Sequence, residues 1–161
     1  MSVLVLGVGN LLMGDEGVGV HAAWQLQATP LPPGVSVVDG GTGGFHLLSY
    51  FQDYETIILI DAAMDGGAPG TVALLEPRYA SDFPRSLSAH DIGLRDLIES
   101  AALLRPLPRM FLVTVSIESA QPIGPRLSEP IAGAVPRVVE TVLSLLASNK
   151  GSVPRIDNNP L

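Results

Sequence analysis

The apolar positions of this chain fall into short continuous runs, separated by stretches with helical spacing. Val3 to Val8 is the first run, with Gly7 and Gly9 at its end. A run without alternation reads as a strand buried on both faces, the kind found in parallel sheets. Asp15 and Glu16 then open a segment in which Val18, Ala22, Ala23 and Leu26 recur at helical spacing, and acids in a first turn favour a helix start through its dipole. Residues 29–34, with three prolines, read as a loop. Val35 to Val38 is a second strand that ends at Asp39. The Gly-Gly-Thr-Gly-Gly cluster at 40–44 is a turn, followed by a short helical stretch from Phe45 to Phe51.

The pattern continues with a third strand, Thr56 to Ile60, ending at Asp61, and a Gly-rich loop over 62–70. Thr71 to Leu75 is a fourth strand. Only that loop separates it from the third, with no room for a crossover helix, so antiparallel pairing between the two is expected. Residues 76–89 are irregular. Asp91 to Leu104 reads as a helix with Ile92, Leu94, Leu97, Ile98 and Ala101 near one face, and Met110 to Ile117 as a fifth strand. Ser128 to Ser148 is a long last helix that Pro136 should break or kink. Residues 151–161 are polar and aperiodic and read as a loose tail. Strands alternating with helices imply right-handed βαβ units. The expectation is one α/β domain over 1–150, a three-layer sandwich. Its five-stranded sheet would be mostly parallel with one antiparallel strand, and helices would cover both faces.

Composition narrows the chemistry. A hydrophobic fraction of 47% in 161 residues supports one buried core. The apolar runs are far shorter than the ~20 residues a bilayer requires, so no membrane span is expected. No signal peptide is legible at the N-terminus, and a cytoplasmic location is expected. Cysteine is absent, which removes disulfides, a thiol nucleophile and thiolate ligands. With Lys+Arg 9 against Asp+Glu 16, a net charge of -7, no basic stripe for nucleic acid is expected.

Position gives the candidate site. Glu16 follows strand one, Asp39 ends strand two, Asp61 ends strand three and Glu118 follows strand five. Ligands of open α/β sheets bind beyond the carboxyl ends of the strands, so four acids are aimed at one edge. Crowded like charges call for a cation or shared protons. Each acid also has a plainer role. Asp15 suits a helix start, Asp39 and Asp61 could cap the turns that follow them, and Glu118 could be a solvated acid. Of the histidines, His21 suits a packed helix position and His46 follows the glycine cluster. His90, just before a helix, could be an imidazole ligand or a loop-packing residue. Two carboxylates and an imidazole suit zinc, nickel, manganese or non-haem iron, with coordination positions left open. A dinucleotide fingerprint starting at Gly7 fails at Leu12, and acids at 15–16 oppose a pyrophosphate. No nucleophile elbow surrounds a serine; Ser116 and Ser119 have no base partner.

These residues resemble a known family. Gly7-Val8-Gly9-Asn10-Leu11-Leu12-Met13-Gly14-Asp15-Glu16-Gly17-Val18-Gly19 is similar to the opening motif of the hydrogenase maturation endopeptidases. Asp39-Gly40-Gly41-Thr42, Ile60-Asp61-Ala62 and His90-Asp91 are similar to their later motifs, in order. The resemblance implies an endopeptidase that removes a C-terminal extension from the large-subunit precursor of nickel-iron hydrogenase once nickel is in place. It implies nickel, contributed by that substrate, at Glu16, Asp61 and His90. In the isolated protein the metal could be absent or replaced by another divalent ion. Asp39 would serve cleavage or substrate recognition. Independently of the resemblance, a monomer is the default expectation. One departure is visible: Ser119 follows Glu118 where the family often has proline. The rival readings are a nickel-binding chaperone without catalysis, a nucleotide-binding α/β protein and a spore-type peptidase.

Overall fold

The computed structural model describes residues 2–87 and 94–148. The strands are β1 (Val3–Gly7), β2 (Val35–Asp39), β3 (Thr56–Ala63), β4 (Val72–Leu75) and β5 (Arg109–Ser116). They form one sheet in the order β2-β1-β3-β5-β4. The first four in that order run parallel, and β4 lies antiparallel to β5 at the edge. The helices are α1 (Val18–Gln27), α2 (Tyr50–Asp53), α3 (Leu94–Leu104), α4 (Glu129–Ala132) and α5 (Val135–Ser148).

The unalternating runs of β1, β3 and β5 are buried because both faces of the sheet are covered. Side chains of successive strand residues point to opposite faces. Val3, Val5, Ile58, Ile60, Val113 and Val115 therefore pack with α1 and α5. Leu4, Leu6, Ile57, Leu59, Met110 and Leu112 pack with α3 and with Leu47, Phe51 and Phe83 on the other side. This is the α/β sandwich with helices on both faces that the sequence pattern predicts. Residues 149–161, including the expected tail, lie outside the described residues, as does the expected start of α3 at Asp91.

Three expectations are corrected. The fourth strand is antiparallel, but its neighbour is β5: Val72 pairs with Val115 and Leu75 with Leu112. β5 takes the place beside β3 because it matches it over eight residues, Thr56↔Arg109 through Ala63↔Ser116. The shorter, half-exposed β4 is left for the edge. β3 also does not end at Asp61; it continues through Ala63 because β5 is long enough to pair with it. Finally, the break in the last helix falls at Gly133-Ala134, ahead of Pro136. Proline has no N–H and its ring clashes with the carbonyl four residues back, so it cannot follow an unbroken turn. In the first turn of α5, where no donor is required, Pro136 is tolerated. The combined segment Glu129–Ser148 has the length and apolarity of a membrane span, with mean hydropathy 1.4. Here Ile131, Ala134, Val138, Val142, Leu145 and Leu146 are buried against the sheet, so it serves as a core helix.

Gly7 and Gly19 allow α1 to lie on β1 and β3 at backbone contact. A Cβ at position 19 would collide with the carbonyl oxygens of Val8 and Ile60, and one at position 7 with the Gly19 carbonyl. Gly19→Ala must force the helix off the sheet. Overpacking of this kind costs ~1–3 kcal/mol or more, and urea unfolding is expected to show a lower midpoint with an unchanged slope. A variant as stable as the parent protein would mean that the contact can relax at no cost.

Candidate functional site

The parallel part of the sheet has one switch point. The chain leaves β1 to one side for β2 and returns to the other side for β3. A crevice therefore opens beyond the carboxyl ends of β1 and β3. β1 ends at Gly7, paired with Ile60 and with Asp39. The Val8 N–H still reaches the Ile60 carbonyl at 2.9 Å. Asp61 is thus the first residue of β3 beyond its β1 partner, although the strand runs on beside β5.

Glu16 sits on a 3-10 turn, Gly14–Gly17, that leads into α1 and packs against β3. The backbone of this turn is held close to the end of β1. A Cβ at Gly9 would collide with the Glu16 carbonyl, and the Glu16 N–H donates to the Met13 carbonyl at 3.1 Å. Glu16 is 8% exposed and Asp61 1%. One Asp61 oxygen accepts the Ala62 N–H at 2.8 Å. Two desolvated carboxylates on adjoining elements are costly unless partners or a cation compensate them.

The other predicted residues divide. Asp39 stands exposed at the end of β2. Its Oδ1 accepts the Gly41 N–H at 2.9 Å and its Oδ2 the Trp24 indole N–H at 3.1 Å. It therefore caps its own turn, the plainer role, at the rim of the crevice. That turn brings the Gly40–Gly44 backbone beside the end of β1: Gly40 N–H donates to the Gly7 carbonyl at 2.8 Å and Gly9 N–H to the Gly41 carbonyl at 2.7 Å. Glu118 is exposed, with its carbonyl taken by the Gln121 side chain at 2.8 Å. His46 is exposed. His21 is half-buried, with its ring nitrogen 3.1 Å from the Pro125 carbonyl and its ring against Trp24. His90 lies outside the described residues. Among the described residues no three acidic or imidazole side chains are grouped closely enough to hold a metal. Of the expected trio, Glu16 and Asp61 are the members among the described residues. The described chain leading toward His90 is tied to the end of β3: Met64 N–H donates to the Ser86 carbonyl at 2.7 Å, and Leu87 bridges Ala63.

Two features escaped the sequence. Ser116 donates through its hydroxyl to Asp65 at 3.1 Å, and Asp65 also accepts the Gly67 N–H at 3.0 Å. This braces the loop after β3. Between that loop and the segment after β5 lies a cleft of about 650 Å³ lined by Met64, Pro69, Ile117, Glu118 and Ala120. Asp15, expected only to favour a helix start, instead binds Ser128, 113 positions away. Nothing local in the sequence marks that pairing.

The sequence profile described as hydrogenase maturation protease matches residues 20–145. A hydrogenase 2 maturation protease of Escherichia coli K12 is 35% identical over 161 residues, which cover 96% of this chain and 97% of that protein. The hydrogenase expression/formation protein HoxM of Azotobacter vinelandii is 34% identical over 152 residues, 91% of this chain and 72% of that one. The fold superposes on the E. coli hydrogenase maturating endopeptidase HybD with a TM-score of 0.83 and 31% identity, over 98% of this chain and 100% of the other. The HybD hydrogenase maturation protease of Thermococcus kodakarensis gives 0.75 at 27% identity, over 91% and 99%.

Trp24 is the single tryptophan, and its hydrogen bond to Asp39 reports on the rim turn. Asp39→Ala is expected to shift its fluorescence maximum while leaving the far-ultraviolet circular dichroism unchanged. Asp39→Asn, which keeps an acceptor oxygen, should shift it less. An unmoved spectrum in Asp39→Ala would show that this bond does not hold in solution.

Proposed function

Because this chain belongs to the hydrogenase maturation protease family, we propose that it is the endopeptidase that trims the C-terminal extension of a nickel-iron hydrogenase large-subunit precursor after nickel insertion. Membership makes it a hydrolase acting on an internal peptide bond. The nickel requirement and the residues that meet it are the proposal.

The observation that carries it is the pair of buried carboxylates, Glu16 and Asp61, at the switch point of the sheet. Their chemistry fits a borderline divalent cation, and no thiolate competes. His90 completes the trio. It lies three residues beyond Leu87, which bridges Ala63, two residues past Asp61. In this reading nickel belongs to the substrate. It arrives held by the precursor, and Glu16, Asp61 and His90 recognise it through its open positions. That recognition aligns the adjoining peptide with the rim, and orientation of this kind lowers the barrier to attack. Bound nickel would supply Lewis acidity at the scissile carbonyl. Asp39 accepts the Gly41 N–H, which steadies a glycine turn that an extended peptide can lie against, and in this reading its carboxylate directs a water or positions the peptide.

The rim suits a protein substrate. Leu12 and Ile123 are 64% and 88% exposed and sit on chain segments joined by the Gly124 N–H to Leu12 carbonyl bond at 2.7 Å. Phe45, directly after the glycine cluster, is 53% exposed. Large apolar residues left in water around a site mark a surface that a partner covers. We place the reaction in the cytoplasm and the enzyme as a monomer.

The test is the intact mass of a cognate large-subunit precursor, nickel-loaded and nickel-free, incubated with this protein. Loss of a short C-terminal peptide from the loaded sample alone is the expected result. Glu16→Gln, Asp61→Asn and His90→Gln should each slow it by at least ~100-fold, the scale of a misplaced substrate. Cleavage without nickel would remove the recognition step, and an unchanged mass in both samples would make the protein a nickel-binding chaperone. Wild-type rates in all three variants would discard the trio.

A further inference from the structure

The acid beside Glu16 is spent elsewhere. Asp15 is 7% exposed. Its Oδ1 accepts the Ser128 N–H at 2.7 Å and its Oδ2 the Ser128 hydroxyl at 2.7 Å. Its own N–H donates to Gln121 Oε1 at 2.8 Å, and the same amide donates through Nε2 to the Glu118 carbonyl at 2.8 Å. On one side of these bonds, Gly14 N–H donates to the Gly124 carbonyl at 2.8 Å, and Gly124 N–H returns to the Leu12 carbonyl at 2.7 Å. The loop that carries Glu16 is therefore stitched to the loop that joins β5 to α4.

Two further observations bear on what this clamp does for the Glu16 turn. The turn Gly14–Gly17 has no side-chain cap of its own, and its local bonds are backbone ones, Met13 N–H to the Asn10 carbonyl and Glu16 N–H to the Met13 carbonyl, each at 3.1 Å. Ser128 stands at the N-cap of α4 with extended backbone, φ -66 and ψ 160, yet its hydroxyl makes no capping bond. A residue type favoured at that position for its capping oxygen has its hydroxyl committed to Asp15 instead. The carboxylate is also the side chain that fits. Ser128 presents two donors, and a carboxylate accepts at both oxygens, whereas an asparagine offers one acceptor and one donor group.

We infer that Asp15, through Ser128 and Gln121, is a positioning residue that sets the Glu16 carboxylate against Asp61 and takes no part in the chemistry. This rests on the assignment of Glu16 to the nickel-recognising trio. Glu16 is then held from both sides, by the close backbone at Gly9 and by the clamp on Asp15. The β5–α4 loop, which also carries Ile123 and borders the cleft beside β3, becomes part of the same rigid unit.

The test is a double-mutant cycle on single-turnover cleavage of nickel-loaded precursor, using Asp15→Ala, Glu16→Gln and the double variant. Asp15→Asn, Ser128→Ala and a core control, Val142→Ala, are measured alongside. Amide hydrogen exchange of the protein alone is followed at Gly14 and Gly124. Asp15→Ala is expected to slow cleavage at least tenfold with KM within about threefold. Exchange at both glycines should rise at least tenfold. Asp15→Asn should recover most of the rate, since the Ser128 hydroxyl can reverse to accept from the amide, and Ser128→Ala should fall between. Should Asp15→Ala not fold, the last two variants carry the same comparison. In the Glu16→Gln background Asp15→Ala should slow cleavage by less than twofold. An undiminished effect there, a matching rate loss in Val142→Ala at equal Tm, or unchanged exchange would overturn the inference. Wild-type cleavage by Glu16→Gln would instead remove Glu16 from the site, a failure of the proposed function and not of the clamp geometry.

Discussion

The backbone contact between the first strand and the first helix governs what the rest of the molecule can do. Gly7 and Gly19 lack the side chains that would hold α1 and β1 a normal packing distance apart, and the Gly19 position also lies against the carbonyl of Ile60. A helix that close brings its N-terminal end down onto the ends of β1 and β3. The 3-10 turn before it then has no room to swing outward, and Gly9 allows the Glu16 carbonyl to close the gap. The glycines of the opening motif are thus a packing requirement. Their spacing looks like a phosphate-binding loop, but the turn delivers a buried carboxylate where that loop would deliver bare N–H groups.

Strand order supplies the other half of the site. Because β1 lies between β2 and β3, the acids that follow strand ends fall at different depths. Asp39, on the edge strand, is reached by water and shapes a turn. Asp61, on the central strand, is 1% exposed and paired with Thr114 of β5 where β1 has ended. Depth decides their chemistry more than residue type does. An exposed carboxylate is already solvated and gains little from a cation, whereas a desolvated pair gains a great deal. The division of labour proposed between the Glu16–Asp61 pair and Asp39 follows from that difference.

Much of this was legible in the chain. Runs such as Leu4-Val5-Leu6 and Ile57-Ile58-Leu59-Ile60 read as two-face buried strands because no polar residue interrupts them, and the strand-end acids followed. The extension of β3 past Asp61 was hidden, since aspartate is depleted in strands and only the length of β5 stabilises it there. The neighbour of β4 was hidden for a similar reason: a loop too short for a crossover fixes direction but not which strand lies alongside. The last helical span was read to its end at Ser148, while its break was placed at the proline and not at the turn before it. The role of Asp15 could not be read at all, because its partner is 113 positions away and Ser128 carries its own local explanation as a cap.

That last case bears on how such a site is kept ready. Glu16 and Asp61 come from elements that meet only at the sheet edge, and two buried acids placed together favour moving apart. The Glu16 turn alone opposes this weakly, since it is one 3-10 turn without a side-chain cap. To the close helix–strand contact the fold adds the β5–α4 loop, which is bonded across the turn at Leu12, Gly14 and Asp15. A geometry held in advance spends less of the substrate's binding energy on ordering the site. Under the proposed recognition of nickel it would also make the enzyme selective: a rigid pair of carboxylates would meet a cation at one position relative to the peptide behind it. A precursor lacking that cation would meet the same two charges unscreened.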